Sequence, residues 1–523
     1  MSAADTNATI AAEVLAVLRG AGVRTLVICP GGRNAPLVLA ADASRGAFEV
    51  LNFFEERSAA FFALGRIRRD NRPVAVLTTS GTATAELLPA MLEAVHGGWP
   101  LVAVTADRPR KLRGTGAPQT IDQLPIFAAC RIPVIDVDAP GQLSSLPAGA
   151  AHLNVCFDEP LTGEPVALAP AAAGTPKNFA PWMTEKSARE HWEDFFARVR
   201  NPLVLVSSLT DAEAHRAAPW LASLSSPLYL EAVSQLRGHR NLQEFSLQSG
   251  EHILCSPECR AACDGILRIG GVPTPRLWRE LDDDPRPMLH VSRTPWPGLA
   301  REAPVLPLRF LPTLTDVVTS GGNNSALLAR DRSIAATTEE LLAQEPQSEA
   351  ALVRAAAEKF ARKARIFLGN SLSIREWDLV APRAESEQNF YANRGVNGID
   401  GLVSSALGLA DNDRPAAAMI GDLSALYDLA GLWPAAQLEG ADITLAVVNN
   451  GGGKIFERMF KNTSFLNTHA LRLRGWAEMF GWHYGQMHSA ADPWPAAPPR
   501  LVEILPDAAA SARFAGNYAA LWR

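Results

Sequence analysis

Short, continuously apolar runs alternate with segments of helical periodicity over residues 7–105. The first segment, residues 7–22, places Ile10, Val14 and Leu18 on one helical face, and the apolar run 25–29 follows it. The later apolar runs are 50–54, 74–78 and 101–105, and the helical segments between them are 34–41, 58–66 and 83–95. Each apolar run ends in a polar or glycine-rich turn, as buried parallel strands do. The pattern predicts an open α/β sheet with functional residues at its carboxyl edge.

The same alternation returns twice further along the chain. Residues 167–181 form an Ala/Pro/Gly stretch with little periodicity, which predicts a linker. A middle block has apolar runs at 203–206, 266–269 and 288–291 and a helical segment at 212–224. After a polar helical stretch, 331–349, the last block has apolar runs at 364–369, 416–420 and 443–448. We therefore predict three α/β domains, 1–180, 181–345 and 346–523, each an open, mostly parallel sheet flanked by helices.

Composition excludes some classes of partner. With 523 residues, 47% hydrophobic and 20% charged, the chain has the composition of an ordinary globular protein. Its net charge of −6 gives no reason to expect nucleic acid as a partner. The first residues lack the basic segment and apolar core of a secretory signal, and no apolar run is long enough to cross a bilayer. Six cysteines in so long a chain fit a reducing compartment, so we expect a cytoplasmic protein without membrane insertion.

Three of the cysteines share one spacing. Cys255, Cys259 and Cys263 are each separated by three residues, which would align them on one face of a helix. This differs from the paired Cys-x-x-Cys of zinc sites, so we interpret them as buried or incidental thiols, with a metal or redox role as the alternative.

The stretch from Ile420 to Phe456 has the strongest chemical signal. One apolar run ends in Gly421-Asp422, and the next ends in Asn449-Asn450 followed by three glycines. A carboxylate from Asp422, an amide oxygen from Asn450 and the Gly452 carbonyl would suit Mg²⁺, and backbone N–H groups after Gly421 could receive a phosphate. The alternative is two αβ turns with ordinary capping residues. The arrangement resembles the diphosphate-binding signature of thiamine-diphosphate enzymes.

Such an enzyme also needs a carboxyl group near the start of the chain. The cofactor's own exocyclic amine removes the proton from its reactive C2 carbon, and a buried acid with a raised pKa drives the tautomerisation that this requires. Glu56 is the candidate, because it follows the run 51–54 where the chain turns into an apolar helix. By position alone, Glu56 could instead be an acidic first-turn residue stabilised by the helix dipole, and Glu55 would serve equally well.

Ordered motifs extend the resemblance over the first and third domains. In the first domain the matching segments are 29–37 (Cys-Pro-Gly-Gly-Arg-Asn-Ala-Pro-Leu), 54–59, 79–83, 88–90, 105–109 (Thr-Ala-Asp-Arg-Pro) and 119–123. In the third domain they are 369–375, 393–401 (Asn-Arg-Gly-Val-Asn-Gly-Ile-Asp-Gly), 421–429 and 448–456. Together they resemble the 2-succinyl-5-enolpyruvyl-6-hydroxy-3-cyclohexene-1-carboxylate synthases, the thiamine-diphosphate enzymes of menaquinone biosynthesis. The segments 105–109 and 393–401 separate this family from acetolactate synthases and 2-oxoacid decarboxylases.

The resemblance implies a reaction and a cofactor. The family decarboxylates 2-oxoglutarate on thiamine diphosphate and adds the resulting carbanion in a 1,4 fashion to isochorismate. The first domain would bind the pyrimidine ring and the third the diphosphate. Asp422, Asn450 and Gly452 would be the ligands of Mg²⁺, with Mn²⁺ as an alternative ion. The active site would lie between the subunits of a homodimer or homotetramer.

The resemblance also implies roles for particular side chains. Glu56 would activate the cofactor, Gln119 would lie by the reacting substituent, Ser371 would bind substrate carboxylate, and Ile399 would hold the cofactor bent. Both substrates are polyanionic, for which the planar guanidinium is suited. The arginines on the motif turns are Arg33, Arg108, Arg375 and Arg394, with Arg276 of the middle domain as a further candidate. The remaining cofactor-contacting positions are Ser80, Gly421, Leu423, Ser424, Ile455 and Phe456.

Three departures from the family pattern all concern substrate binding. Gly32 stands where the family usually has Ser, Pro118 replaces the usual Asn before Gln119, and Pro275 stands where a Lys often precedes the arginine matched by Arg276. None of them affects cofactor activation. Gly32 and Pro118 leave open a thiamine-diphosphate decarboxylase or carboligase with a different acceptor. A non-catalytic cofactor-binding protein is a separate alternative, and the presence of Glu56 argues against it, because binding alone needs only the diphosphate site.

Overall fold

Three parallel β-sheets, each with helices around it, make up the computed structural model. It describes residues 2–168, 173–176, 181–275, 277–315, 321–383, 387–457, 459–460 and 462–521. Within these residues each sheet has six strands, and every strand pairing is parallel. The predicted fold class, an α/β protein built from three open sheets, is confirmed.

The first sheet has the strand order β2-β1-β3-β4-β6-β5. Its strands are β1 (Thr25–Ile28), β2 (Glu49–Asn52), β3 (Val74–Thr78), β4 (Leu101–Asp107), β5 (Val134–Val137) and β6 (Ala151–Cys156). Its helices are α1 (Ala3–Gly20), α2 (Ala35–Ala43), α3 (Glu56–Asp70), α4 (Thr82–Glu86), α5 (Leu88–Gly97) and α6 (Leu124–Ala128). Every residue of the central strands β1, β3 and β4 is buried, which explains their uninterrupted apolar runs.

The second sheet has the order β12-β11-β10-β7-β8-β9. Its strands are β7 (Pro202–Val206), β8 (Leu228–Leu230), β9 (Ser246–Leu247), β10 (Gly265–Ile269), β11 (Met288–Ser292) and β12 (Val305–Pro307). Its helices are α7 (Glu185–Arg198), α8 (Asp211–Ser223), α9 (Glu251–Leu254), α10 (Pro257–Ala262), α11 (Leu277–Glu280), α12 (Leu311–Leu314) and α13 (Ser325–Gln344).

The third sheet has the order β14-β13-β15-β16-β18-β17. Its strands are β13 (Arg365–Leu368), β14 (Asn389–Tyr391), β15 (Ala416–Gly421), β16 (Ile443–Val448), β17 (His483–Met487) and β18 (Arg500–Ile504). The helices of this part of the chain are α14 (Glu349–Lys359), α15 (Leu372–Val380), α16 (Leu402–Gly408), α17 (Asp422–Tyr427), α18 (Arg474–Met479) and α19 (Ala508–Ala520). The central strands β15 and β16 are adjacent and in register, Gly421 opposite Val448, so the turns that follow them lie side by side.

The chain divides into two compact units. The N-terminal unit holds Met1–Ala180 together with Gly395–Ala410 and Tyr427–Gly440. The C-terminal unit holds Pro181–Arg394, Asp411–Leu426 and Ala441–Arg523. The division into domains at residues 180 and 345 stays a prediction. Of the predicted linker, residues 169–172 and 177–180 lie outside the described residues.

Helix α16 packs directly on α3 in the N-terminal unit. A Cβ atom at Gly65 of α3 would lie 2.1 Å from the Ser405 carbonyl oxygen, and one at Gly408 of α16 would lie 2.3 Å from the Phe62 carbonyl oxygen. Only glycine therefore allows the two backbones to approach so closely. This contact joins a segment that follows the 393–401 motif to the helix that begins at Glu56.

Two predicted elements differ from the structure. The segment 83–95 is two helices, because Pro89 has no N–H to continue α4 and stands instead in the first turn of α5. The three spaced cysteines do not lie on one helix: Cys255 caps the end of α9, Pro257 begins α10, and Cys263 caps the end of α10. Within the described residues, no helix combines the length and apolarity that a membrane crossing needs.

Candidate active site

Glu55 and Glu56, which the sequence left as equal candidates, have different surroundings. Glu55 is the N-cap of α3, and its carboxylate accepts hydrogen bonds from Arg57 N at 3.1 Å and Ser58 N at 2.9 Å. Glu55 therefore caps the helix, and Glu56 is an acidic residue of its first turn, as position alone also suggested. Glu56 is the first residue of the helix and is half-buried. Burial raises the pKa of Glu56, and the charges of Glu55 and Glu86 raise it further.

A buried carboxylate holds the first turn of α3 in place. Asp428 Oδ1 accepts hydrogen bonds from Ser58 Oγ at 2.9 Å and Ser404 Oγ at 3.0 Å, and Oδ2 accepts one from Ser404 N at 2.7 Å. Burial raises the pKa of Asp428 to about 6. Arg57 donates to the Tyr427 carbonyl oxygen at 3.1 Å, and its guanidinium lies 4.9 Å from the centre of the Tyr427 ring. The backbone that carries Glu56 is therefore fixed on both sides.

Four of the predicted residues meet at the carboxyl edge of the first sheet. Arg108 follows β4 and donates to Ser80 Oγ at 3.0 Å and to the Gln119 carbonyl oxygen at 2.9 Å. Burial and the nearby charge of Arg33 lower the pKa of Arg108. Arg33 is buried and donates to the Phe157 carbonyl oxygen at 3.0 Å and to Glu159 Oε1 at 3.1 Å. The sequence placed Arg33, Ser80 and Arg108 on the turns after β1, β3 and β4, whereas Gln119 was a candidate only through the family resemblance.

The loop that carries Ile399 is tied to α5. Glu93 accepts hydrogen bonds from Gly395 N and Val396 N, each at 2.8 Å. Its carboxylate is buried in an ion pair with Arg68 at 3.0 Å. Ile399 itself is half-buried in this loop. These contacts fix the backbone at Gly395 and Val396, and thereby help to position Ile399.

Asp422 lies at the start of α17, in the C-terminal unit, and organises the glycine run. Its Oδ1 accepts a hydrogen bond from Leu423 N at 2.6 Å, and its Oδ2 accepts from Gly451 N and Gly452 N, both at 2.9 Å. His469 Nε2 lies 3.3 Å from the same Oδ2. Burial raises the pKa of Asp422, and the three N–H donors oppose that rise.

Asn450 has an oxygen available for a ligand. Its Nδ2 donates to both carboxylate oxygens of Glu349, at 3.0 Å and 2.9 Å. Its Oδ1 is buried and has no hydrogen-bond partner among the described residues. Burial raises the pKa of Glu349 to about 7, and the charge of Asp422 adds to this effect. A buried acceptor without a partner is costly, so it fits a site that a cation completes.

The third predicted metal ligand also fits. The Gly452 carbonyl oxygen accepts one hydrogen bond, from Lys454 N at 2.9 Å, and a carbonyl oxygen has a second lone pair. Among the residues that the structure describes, no cluster of three or more His, Cys, Asp or Glu side chains is suited to a metal. A carboxylate, an amide oxygen and a backbone carbonyl are the hard oxygen donors that Mg²⁺ prefers, so these residues fit that ion.

Ser371, Arg375 and Arg394 lie at the edge of the third sheet. Ser371 has φ 73°, a left-handed conformation, and its carbonyl oxygen accepts a hydrogen bond from Arg375 at 2.6 Å. Arg394 donates to Asn370 Oδ1 at 3.0 Å. Burial lowers the pKa of Arg375, whereas nearby carboxylates oppose the shift. Glu231 is buried, and its burial together with the charge of Asp378 raises its pKa to about 7. The nearby charge of Arg394 opposes this rise.

The remaining predicted residues are placed as follows. Gly421 ends β15, while Leu423 and Ser424 lie in the first turn of α17. Ile455 and Phe456 lie in a 3-10 helix, Lys454–Phe456, with Phe456 exposed. Arg276 lies outside the described residues.

The sequence assigned no role to Glu349, Asp428, Glu93 or His469. Asp428 lies inside the matched segment 421–429, and Glu349 ends the polar stretch 331–349, so both were visible as acids. Nothing in the sequence marks Glu93 or His469, because their partners come from distant parts of the chain.

Comparison with known proteins identifies the class. Residues 8–126 match the family described as "Thiamine pyrophosphate enzyme, N-terminal TPP binding domain". An X-ray structure from Mycobacterium smegmatis, assigned to the thiamin diphosphate-dependent enzymes, has the same fold, with a TM-score of 0.67 and 17% identity over 95% of this chain and 99% of that one. The protein is a thiamine-diphosphate-dependent enzyme, and the non-catalytic alternative is set aside.

Curated relatives identify the family within that class. The synthase named 2-succinyl-5-enolpyruvyl-6-hydroxy-3-cyclohexene-1-carboxylate synthase in Bdellovibrio bacteriovorus is 38% identical over 99% of this chain and 100% of its own length. The enzyme of the same name in Akkermansia muciniphila is 36% identical over 90% of both chains. The chain belongs to the 2-succinyl-5-enolpyruvyl-6-hydroxy-3-cyclohexene-1-carboxylate synthase family.

Proposed function

We propose that this enzyme decarboxylates 2-oxoglutarate and adds the remaining four-carbon unit to isochorismate in a 1,4-addition. The product would be 2-succinyl-5-enolpyruvyl-6-hydroxy-3-cyclohexene-1-carboxylate, an intermediate of menaquinone biosynthesis. The observation that carries the proposal is the 38% identity to a synthase of that name over 99% of the chain. The motif residues discussed above are consistent with it.

Bound thiamine diphosphate supplies the carbon centre at which the 2-oxoacid loses CO₂. Glu56 holds a proton for the pyrimidine side of the cofactor. Burial and the neighbouring charges of Glu55 and Glu86 favour its protonated form, which supports that role. Because Glu55 caps the helix and Asp428 holds Ser58, the backbone at Glu56 is rigid before the cofactor binds. Gln119 would lie beside the reacting substituent.

The diphosphate would be held through a divalent cation. Asp422, Asn450 Oδ1 and the Gly452 carbonyl would bind Mg²⁺, or Mn²⁺ in its place. Asn450 Oδ1 is buried without a hydrogen-bond partner in the described part of the chain, which supports this assignment. Backbone groups of Gly421, Leu423 and Ser424 would approach the diphosphate, and Ser80, Ile399, Ile455 and Phe456 would complete the contacts to the cofactor.

Arginines would bind the anionic substrates. Arg33 and Arg108 lie close together in the N-terminal unit, and Arg375 and Arg394 lie near shared carboxylates in the C-terminal unit. The contacts of Arg33 with Phe157 and Glu159 fix its guanidinium before a substrate arrives. Ser371 would hydrogen bond a substrate carboxylate, and Arg276 is a further candidate for the same role.

We also propose a homodimer or homotetramer with the active site at the subunit interface, located in the cytoplasm. This rests on the family resemblance, in which the activating acid and the diphosphate site come from different subunits. Light scattering on the purified enzyme, with and without cofactor, would reveal the assembly. A purely monomeric enzyme with full activity would contradict the proposal.

The decisive experiment is product analysis. Purified enzyme is incubated with 2-oxoglutarate, isochorismate, thiamine diphosphate and Mg²⁺, and the products are identified by mass spectrometry. We expect CO₂ and the cyclohexene adduct in equal amounts. Release of CO₂ without the adduct would instead favour a different acceptor, the alternative that Gly32 and Pro118 leave open. The Glu56→Gln variant is the matched control for turnover that does not depend on the proposed site.

A further inference from the structure

The Glu349 carboxylate faces the amide of Asn450 with both oxygens. Glu349 Oε1 and Oε2 lie 3.0 Å and 2.9 Å from Asn450 Nδ2, and both residues belong to the C-terminal unit. Glu349 is only 8% exposed. The amide nitrogen of Asn450 is therefore the atom that faces Glu349, because Nδ2 donates to both of its oxygens.

The orientation of Asn450 follows from this contact. With Nδ2 turned towards Glu349, the opposite atom of the amide, Oδ1, must point away from it. That oxygen is buried and has no hydrogen-bond partner among the described residues. An amide that is free to turn over would present N–H groups to a cation in half of its orientations, and N–H groups repel cations.

We propose that Glu349 is a positioning residue that fixes the Asn450 amide so that its oxygen, rather than its nitrogen, faces the divalent cation. The inference rests on the proposed function, which assigns Asn450 as a ligand of that cation. Glu349 does not touch the cation. It acts through Asn450.

Glu349 is itself held rigidly. It is the first residue of α14, whose N-cap Ser348 accepts a hydrogen bond from Ala351 N at 3.2 Å. Its own backbone N–H donates to Ser511 Oγ at 2.9 Å. The Glu376 side chain forms a further hydrogen bond with Glu349, in which one of the two carboxyl groups carries the proton. A buried carboxylate is expensive to maintain, and a rigid one is suited to orienting a neighbour.

The first test replaces one of the two acceptor oxygens of Glu349 with an NH₂ donor. In Glu349→Gln, the new NH₂ group can face Asn450 and turn its amide over, so that a nitrogen faces the cation. Isothermal titration calorimetry measures the Kd of Mg²⁺ in the presence of excess thiamine diphosphate. We expect the Kd to rise about tenfold or more, while the thermal midpoint of the cofactor-free protein changes little. An unchanged Kd in folded Glu349→Gln would overturn the proposal.

A matched control perturbs the same turn without touching the amide. Ser511→Ala removes the hydroxyl that accepts from Glu349 N and leaves the Glu349–Asn450 contact in place. We expect the Kd of Mg²⁺ to remain at the wild-type value. A rise as large as that in Glu349→Gln would mean that the helix start, and not the amide orientation, controls the cation, and would overturn the proposal.

A double variant that exchanges the donor and the acceptor between residues 349 and 450 distinguishes a positioning role of Glu349 from a purely structural one. In Glu349→Gln combined with Asn450→Asp, the glutamine NH₂ donates to the new carboxylate, whose other oxygen faces the cation. We expect this double variant to bind Mg²⁺ more tightly than Asn450→Asp alone, in which two buried carboxylates oppose each other. If the double variant bound Mg²⁺ no more tightly than Asn450→Asp, the proposal would be overturned. This comparison still tests the proposal if Glu349→Gln alone does not fold.

A wrong metal assignment and a wrong positioning role for Glu349 would give different results. If wild-type enzyme binds thiamine diphosphate with the same affinity in Mg²⁺ and in EDTA, then the metal assignment of Asn450 is wrong, and the inference about Glu349 falls with it. If wild-type binding depends on Mg²⁺ and Glu349→Gln does not change that dependence, only the positioning role is wrong.

Discussion

Glu55 and Glu56 are neighbours in the chain, but only Glu55 caps helix α3. Its carboxylate accepts the Arg57 and Ser58 N–H groups, at 3.1 Å and 2.9 Å. Because Glu55 satisfies these donors, Glu56 is left out of the cap, with a pKa raised by burial and by the charge of Glu55 itself. Two adjacent acids thus divide a structural and a proposed chemical task.

Glu56→Gln tests the chemical task. A glutamine cannot hold and release the proton, so we expect the turnover number to fall by about 100-fold or more, with thiamine diphosphate binding nearly unchanged. Steady-state kinetics and calorimetry would measure the two effects separately. The assignment would be wrong if turnover were unaffected.

Glu55→Ala is the matched change at the adjacent acid. Loss of an N-cap costs about 1 kcal/mol of stability, so the thermal midpoint should fall, while turnover per folded enzyme should change much less than in Glu56→Gln. If Glu55→Ala abolished turnover and Glu56→Gln did not, the two roles would have to be exchanged.

Asp422→Ala should remove the dependence of cofactor binding on metal. The wild-type enzyme is expected to bind thiamine diphosphate more tightly in Mg²⁺ than in EDTA, because Asp422 would help to hold a divalent cation that neutralises the diphosphate. In the variant, calorimetry should give similar, weak affinities in both conditions. Asp422→Asn retains an acceptor for the Gly451 and Gly452 N–H groups and is the control for collapse of the glycine run. A variant that kept the full Mg²⁺ effect would contradict the assignment.

An added side chain should destabilise the protein at Gly31 but not at Gly32. A Cβ atom at Gly31 would lie 2.6 Å from Thr79 Cβ, so Gly31→Ala should lower the free energy of unfolding by about 1–3 kcal/mol. At Gly32 a Cβ atom would meet nothing within 4 Å, so Gly32→Ser should change stability by no more than about 0.5 kcal/mol. Gly32→Ser restores the hydroxyl usual in the family, and we expect a lower KM for isochorismate. A marked loss of stability in Gly32→Ser would contradict the described open space.

Asp428 should make stability depend on pH. Its pKa is raised by burial from 3.8 to about 6 in the folded protein, so the folded state binds the proton more tightly than the unfolded state. Its contribution to stability is therefore fully present below about pH 4 and is lost as the pH rises through about 6, a change of roughly 3 kcal/mol. Asp428→Asn keeps an acceptor for Ser404 N and cannot titrate. The difference in thermal midpoint, variant minus wild type, should increase from pH 4 to pH 7; a constant difference would refute the predicted titration.

Local sequence patterns predicted most of the central strands, but not all six strands of any sheet. The strands β1, β3, β4, β15 and β16 are recognisable because both faces of each are buried, and this leaves continuous apolar runs. Strands β8, β9 and β14 have only two or three residues, too few for a pattern. The grouping of Arg33, Ser80 and Arg108 followed from the rule that parallel strands end at one edge, whereas Gln119 was named only through the family resemblance.

The sequence by itself determined the fold class and the family, because these depend on residue types at short, fixed spacings. Only the tertiary structure decided which of Glu55 and Glu56 caps α3, that Asp428 holds the start of that helix, and that Glu349 orients Asn450. Each of these depends on a contact whose partner is chosen by packing, such as Glu349 with a residue 101 positions away. No local spacing records that choice, because burial and hydrogen-bond geometry arise only when distant segments meet.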